Sequence, residues 1–125
     1  MNVAIVGYRD YNDYTYFKQK IDEWVKVNGP IKTIVSGGAT GVDSLAEKYA
    51  DEKGIQKIIF PVSKEEWRKL GLAAGPLRND KIIKELEKDL SSAHVIAFPS
   101  KKSKGTFDTI RKVQHKKIPV TIYNI

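Results

Sequence analysis

Glycines interrupt the sequence between Ile34 and Ala46, where an apolar run gives way to an amphipathic one. Gly37, Gly38 and Gly41 stand in this turn and would let a ligand approach the backbone closely. A strand that breaks into glycines and then opens a helix exposes backbone N–H groups without intrahelical partners, and the helix dipole adds about half a positive charge there. The pattern therefore predicts an anion site, although many loops before helices carry glycines and no Walker A lysine follows.

A second junction of the same type follows Pro99, where Lys104, Gly105 and Thr106 precede another amphipathic run. Gly105 and Thr106 can present N–H and hydroxyl donors to a phosphate, and Lys104 can neutralise its charge. A plain threonine N-cap would explain Thr106 about as well. Two anion-binding turns at one sheet edge predict a phosphate-bearing ligand, most simply a nucleotide.

Four polar side chains stand where they could contact such a ligand: Arg9, Asp43, Arg78 and Asn79. The planar guanidinium of Arg9 suits phosphate or carboxylate, unless it pairs with a neighbouring aspartate. Arg78 and Asn79 are predicted in the first turn of a helix, where a cation opposes the dipole and needs an anion, either a ligand or an aspartate. Asp43 either complements the dipole of its own helix or accepts hydrogen bonds from ribose hydroxyl groups.

Other kinds of chemistry find little support in the sequence. There is no cysteine, and neither His94 nor His115 has a companion at metal-ligand spacing, so we predict no metal site. No Ser–His–acid arrangement can be argued, and we expect no bound cofactor. Trp67 and Tyr8 could stack on a base, although such aromatic side chains more often belong to a core or its rim.

Composition points to a folded domain with a basic surface. The chain has 125 residues, an apolar fraction of 41% and a formal net charge of +7, with many lysines in its C-terminal third. This charge either keeps a solvated surface soluble or attracts a nucleotide or nucleic acid. The N-terminus enters a strand directly and carries no basic leader, and no apolar run approaches membrane-spanning length, so we expect a cytoplasmic protein.

The elements that must position these residues alternate between strand and helix. We predict five strands, at Val3–Gly7, Ile31–Ser36, Lys57–Phe60, Ala93–Phe98 and, at a sheet edge, Pro119–Tyr123. The strands are apolar without alternation, which indicates an α/β fold with a mostly parallel sheet covered by helices on both faces. Ligands bind such sheets beyond the carboxyl ends of the strands, so the loops after the first, second and fourth strands are expected to face one crevice.

The predicted helices begin at recognisable signals. Asn12 and Asp13 can cap the first helix, and Ser63 with Glu66 has the pattern of a capping box. Pro76 is predicted as the first residue of the fourth helix, and Thr106 starts the last one.

Five segments in the same order resemble the SLOG superfamily, a Rossmann-like group named for the Smf/DprA DNA-processing proteins and the LOG nucleotide hydrolases. They are similar in particular to its YspA-like branch, a family largely of unknown function in bacteria and phages. The segments are Gly7–Asp10, Val35–Ala46, Trp67–Asn79, Val95–Pro99 and Gly105–Asp108. The resemblance implies a single three-layer Rossmann-like domain over residues 1–125, a nucleotide-type ligand and a homodimer.

The resemblance to the LOG hydrolases is incomplete at the residues that carry their activity. Those enzymes cleave the N-glycosidic bond of nucleoside monophosphates with an arginine and with the glutamate of a Pro-Gly-Gly-x-Gly-Thr-x-x-Glu motif. Here Thr109 takes the glutamate position, and Ser100–Lys104 replaces the paired glycines. Arg78 can take the arginine role and Asp108 is the nearby carboxylate, but one helical position turns a side chain by about 100°.

We therefore expect a protein that binds a nucleotide or an ADP-ribose- or NAD-like ligand, as a sensor or as a weak N-glycosidic hydrolase with Arg78 and Asp108 as its catalytic residues. The expected ligand-binding residues are Gly7, Tyr8, Arg9, Ser36, Gly37, Gly38, Ala39, Gly41, Asp43, Asn79, Pro99, Lys104, Gly105 and Thr106. The alternative is binding of single-stranded DNA, as in DprA-like proteins, although no basic stripe interleaved with aromatic residues supports it. A third alternative is an interaction module in which the glycine turns only save space.

Overall fold

Strands and helices alternate along the chain, and the computed structural model describes all of residues 1–125. The strands are β1 (Asn2–Gly7), β2 (Thr33–Ser36), β3 (Gln56–Ile59), β4 (Ala93–Phe98) and β5 (Val120–Ile122). The α-helices are α1 (Tyr14–Asn28), α2 (Val42–Lys53), α3 (Lys64–Leu70), α4 (Ala74–Glu87) and α5 (Lys104–His115). Every pair of neighbouring strands is parallel, in the order β3-β2-β1-β4-β5, so the predicted α/β fold with a five-stranded sheet is confirmed.

The sheet is buried on both faces because successive side chains of its central strands point to opposite sides. Val3 and Ile5 of β1 belong to the core under α1 and α2, whereas Ala4 and Val6 belong to the core under α4 and α5. A strand packed in this way needs an apolar residue at every position, which explains why β1 shows no alternation in the sequence.

The edges of the sheet are also where the sequence places them. β5 lies at one edge, and Pro119 stands directly before it, where a missing N–H group costs no ladder hydrogen bond. β3 forms the other edge, and its first two residues are exposed. The predicted edge strand at Pro119–Tyr123 is thus confirmed, with the narrower bounds Val120–Ile122.

The beginnings of two helices differ from the prediction. α4 begins at Ala74 because a 3-10 turn, Gly71–Ala73, leads into it without a break. Pro76 is therefore its third residue, still within the first turn where no N–H donor is needed, and Arg78 lies in the second turn rather than the first.

α5 begins two residues earlier than predicted, at Lys104, and Ser103 takes the N-cap position. Thr106 is consequently the third residue of α5, so the interpretation of Thr106 as an N-cap is wrong. The Ser103 hydroxyl makes no cap hydrogen bond and instead accepts one from the Ser100 N–H group, at 2.9 Å, which closes the loop after β4.

The capping box of α3 and the cap of α1 are confirmed. Glu66 donates its N–H group to the Ser63 hydroxyl, and its carboxylate accepts from the Ser63 N–H group. Asp13 accepts from the N–H group of Tyr16. The longest helix, α1, has 15 residues, and none of the helices combines the length and the apolar character that crossing a membrane requires.

Candidate functional site

A crevice of about 610 Å³ lies at the carboxyl end of the sheet. The chain runs from β1 outward to β2 and β3, and then from β4 outward to β5, so the strand order reverses between β1 and β4. The loops after these two strands diverge at that point, which is where ligands bind in open parallel sheets. The volume of the crevice falls in the range of pockets that hold small molecules.

Most of the residues that the sequence singled out line this crevice. They are Gly7, Tyr8, Arg9, Ala39, Asp43, Arg78, Asn79, Lys104, Gly105, Thr106 and Asp108. The structure does not bring the remaining candidates to its wall, and these are Ser36, Gly37, Gly38, Gly41 and Pro99.

The beginning of α5 offers free donors to the crevice. The first helical hydrogen bond of α5 runs from the N–H group of Phe107 to the Ser103 carbonyl, at 3.1 Å. The N–H groups of Gly105 and Thr106 have no partner within the protein, and both residues line the crevice. The geometry is that of an anion site at a helix N-terminus.

Gly41 makes room for the protein's own backbone. It has φ +72°, and a Cβ atom there would lie 2.3 Å from the Tyr8 carbonyl oxygen. The same oxygen accepts a hydrogen bond from Val42 N–H at 3.1 Å, and the Thr40 hydroxyl donates to the Arg9 carbonyl at 2.9 Å. Gly41 therefore lets the loop after β1 dock against the start of α2.

Gly37 and Gly38 also face neighbouring parts of the protein. Nη1 of Arg78 donates to the Gly37 carbonyl at 2.7 Å, and a Cβ atom on Gly37 would lie 2.5 Å from that nitrogen. Gly38 has φ +69° and packs against Ile59, and its N–H group donates to the Ser36 hydroxyl at 3.3 Å. These two glycines make room for a guanidinium and for a side chain of β3.

Asp43 is the buried carboxylate of the crevice, with 6% of its surface exposed. Its Oδ2 accepts a hydrogen bond from Ala39 N–H at 3.1 Å. Burial raises the pKa of Asp43 from 3.8 to about 6, against the opposing effects of the Ala39 hydrogen bond and of the positive charges of Arg78 and Arg9. A buried carboxylate with a raised pKa in a crevice is typical of functional sites.

Arg78 is held rigidly beside Asp43. Its Nε donates to Oδ1 of Asn79 at 3.0 Å and its Nη1 to Gly37, which leaves the Nη2 donors without a partner in the protein. Burial lowers the pKa of Arg78, while the charge of Asp43 acts in the opposite direction.

Unpaired positive charge collects around the crevice. None of the ion pairs in the protein includes the four cations that line it, which are Arg9, Arg78, Lys102 and Lys104. Three cations further along the chain differ, because Arg111 and Lys112 of α5 and Lys116 directly after it pair with carboxylates of α4 and α5. Four cations at the crevice are therefore free to meet an anionic ligand, although unpaired lysines also lie elsewhere on the surface.

Asp108 lines the crevice and forms ion pairs with two cations of its own helix. Its Oδ1 lies 3.1 Å from Nη2 of Arg111, and its Oδ2 lies 3.1 Å from Nζ of Lys112. Thr109, one position further, is buried and donates its hydroxyl to the Gly105 carbonyl at 3.2 Å. Both carboxylate oxygens of Asp108 are thus turned toward cations of α5.

Several lining residues were missed as ligand candidates. Asp10, Lys102 and Ser103 lie in loops that were expected to face the crevice, so the position of these loops could have found them. Leu72, Gly75 and Pro76 come from the 3-10 turn and the start of α4. The small residues around Gly75 and Pro76 indicate close packing or close approach of a ligand, but which of the two applies depends on how α4 packs against the sheet.

The strand order and the crevice at its reversal define a Rossmann-like α/β protein. The sequence model described as YAcAr, the YspA, cpYpsA-related SLOG family, matches residues 1–67, which is more than half of the chain. The chain therefore belongs to this SLOG family, as its motifs indicate. The matched part ends within α3, so α4 and α5, which carry Arg78 and Gly105, lie beyond it.

The fold is similar to that of a solved protein, DNA processing protein A (DprA) from Streptococcus pneumoniae, with a TM-score of 0.69 and 20% sequence identity. The similarity covers 97% of this chain and 49% of the DprA chain, so this chain spans about half the length of that protein. At this identity the likeness shows the fold alone. No curated protein matches the sequence significantly.

Proposed function

We propose that the protein binds a nucleotide or an ADP-ribose- or NAD-like ligand in the crevice between the loops after β1 and β4. One observation carries the proposal: the free N–H groups of Gly105 and Thr106 line the same crevice as four cations without ion-pair partners. Membership in a SLOG family and the Rossmann-like fold support a role related to nucleotides or nucleic acids.

The phosphate is assigned to the beginning of α5. Gly105 and Thr106 donate N–H groups to it, and Lys104 and Arg9 neutralise its charge. The free Nη2 of Arg78 adds a donor whose position is already fixed by Gly37 and Asn79, so little rotamer freedom is lost when the ligand binds.

The ribose is assigned to Asp43. One carboxylate oxygen is used by Ala39, and no protein donor reaches the other, so Oδ1 can accept from a hydroxyl group. In this arrangement the start of α5 binds the phosphate and Asp43 binds the sugar of the same ligand.

Calorimetry with AMP, NAD, ADP-ribose, ribose 5-phosphate and inorganic phosphate tests the proposal. Gly105→Glu is the informative variant because a Cβ atom at Gly105 meets no other atom within 4 Å, so the substitution adds a negative charge beside the proposed phosphate position without a steric clash at the Cβ. We expect it to weaken binding at least about tenfold, since it replaces charge-assisted hydrogen bonds by repulsion. Gly105→Gln has nearly the same shape and is the matched neutral control.

A second pair of variants separates local from general charge effects. Lys104, the first residue of α5, lines the crevice, whereas Lys101, in the preceding loop, does not. Lys104→Glu should weaken binding clearly more than Lys101→Glu, which changes the net charge equally. The proposal fails if no compound of the panel binds, or if the two variants have equal effects.

Binding of single-stranded DNA is the second candidate function. It is favoured by the net charge of +7 and by the likeness of the fold to a DNA processing protein. The exposed lysines of the loop after β4, Lys101, Lys102 and Lys104, would be its contacts with phosphates. The dependence of affinity on salt distinguishes it from nucleotide binding.

A further inference from the structure

The segment from α3 through the following 3-10 turn contributes no buried residue to the core. It nevertheless carries large apolar side chains, with Trp67 43% and Leu72 94% exposed. Both of these side chains line the crevice. Apolar groups gathered at the wall of a crevice mark a surface that another molecule covers.

The stability of the fold does not account for Trp67. The two tryptophans of the chain differ in this respect, because Trp24 is 3% exposed and its indole N–H group donates to the Thr121 hydroxyl at 3.3 Å. The indole N–H group of Trp67 has no partner in the protein, and 43% of the residue is exposed to solvent. Its helix begins with the Ser63–Glu66 capping box, and Glu66 also forms an ion pair with Lys81 of α4 at 3.8 Å.

We infer that Trp67 is the base-binding side chain of the crevice and that the heterocyclic base of a nucleotide stacks on its indole ring. The inference rests on the proposed function, because it takes the phosphate to lie at Gly105 and Thr106. A phosphate or a ribose phosphate would satisfy the polar groups of the crevice and leave Trp67 and Leu72 uncovered. The occupant that fits both parts of the wall has an anionic group and an aromatic ring.

Stacking on an indole face accepts every base, because each base has a π-face. A purine covers more of the ring than a pyrimidine and stacks more strongly, so purine nucleotides should bind more tightly. AMP is therefore the probe, and ribose 5-phosphate is its matched fragment without the base.

Tryptophan fluorescence gives a direct readout of the contact. Trp24 is buried and hydrogen-bonded, so quenching by added AMP reports on Trp67. Trp67→Ala should weaken AMP binding about 5- to 150-fold, the range expected for the loss of one base–aromatic stack. Trp67→Phe keeps an aromatic face and should lie between Trp67→Ala and the unaltered protein, while the affinity for ribose 5-phosphate should be the same in all three.

The outcomes separate this inference from the proposed function. If AMP and ribose 5-phosphate bind the unaltered protein equally well, or if Trp67→Ala weakens both equally, the inference is overturned and the proposed function stands. If neither compound nor any other of the panel binds, the proposed function fails and this inference with it. If single-stranded oligothymidylate quenches Trp67 and AMP does not, the ring serves a nucleic acid and the inference is also overturned. Trp24 emission and the melting temperature establish that each variant is folded.

Discussion

At the scale of single residues, Asp43 makes stability depend on pH. Burial raises its pKa from 3.8 to about 6, so the folded protein holds this proton more tightly than the unfolded chain does. The stabilisation is complete below the unfolded pKa and is lost as the pH rises through about 6. At about 1.4 kcal/mol per pKa unit, the loss amounts to roughly 2–3 kcal/mol.

Asp43→Asn removes this titration and keeps an oxygen that can accept from Ala39. We expect the free energy of unfolding of the variant, relative to the unaltered protein, to rise between about pH 4 and about pH 7, because only the unaltered protein acquires a buried charge. Urea denaturation at several pH values measures this difference. Parallel pH profiles for the two proteins would mean that the carboxylate titrates normally.

The residue types at the crevice were predictable, but their contacts were not. An arginine near the start of a helix indicates a missing anion, and Arg78 does lie at the crevice without an ion pair. Its hydrogen bond to the Gly37 carbonyl joins residues 41 positions apart and follows from the packing of α4 over the end of β2. A sequence shows that a charge needs a partner and leaves open which partner the tertiary structure supplies.

At the scale of elements, the turn between β2 and α2 packs closely against the backbone of the loop after β1. Gly41→Ala places a Cβ atom 2.3 Å from a backbone oxygen at a residue with φ +72°. We expect a loss of unfolding free energy on the order of 3 kcal/mol, since a backbone oxygen cannot move aside as a flexible side chain can. Thermal or chemical denaturation measures the loss.

Gly75→Ala is the matched control, because Gly75 lies in α4, has an ordinary φ and would bring its Cβ into open space. This variant should be more stable than the unaltered protein by about 0.5–1 kcal/mol, the usual advantage of alanine over glycine in a helix. Equal effects of the two substitutions would show that the close approach at Gly41 is tolerated.

The strands were more predictable than the beginnings of the helices. A continuous apolar run in the sequence indicates a buried parallel strand. β4 is an example, because its bounds, Ala93–Phe98, are the predicted ones. The start of α5 depends on Ser103, whose hydroxyl closes the preceding loop instead of capping the helix. Serine and threonine side chains can either cap a helix or close a loop. The sequence alone therefore favoured Thr106 as the start of α5, although the helix begins after Ser103.

At the scale of the whole molecule, the net charge of +7 is distributed unevenly. Arg111 and Lys112 of α5, and Lys116 directly after this helix, are paired with carboxylates, so they add little to the field around the protein. Unpaired cations remain at the crevice and also on other parts of the surface, as at Lys26, Lys48 and Lys84. Composition alone shows the excess of positive charge, whereas only the folded structure shows which part of it is neutralised.

This distribution lets salt decide between the two candidate functions. Arg9, Lys102 and Lys104 are exposed at the crevice, and Lys101 is exposed in the loop after β4. Single-stranded DNA can therefore make about four phosphate contacts in this region. Its affinity should then fall roughly 50-fold between about 50 and about 200 mM salt, because counterions released from the strand gain less entropy when they enter a more concentrated solution. AMP has no condensed counterions to release and is held by oriented N–H groups as well as by charge, so its affinity should fall only a few-fold. Fluorescence polarisation of labelled oligothymidylate and calorimetry of AMP, measured over the same salt series, provide the comparison. Tight binding of the oligonucleotide that persists at the higher salt concentration, together with no detectable binding of AMP, would reverse the order of the two proposals.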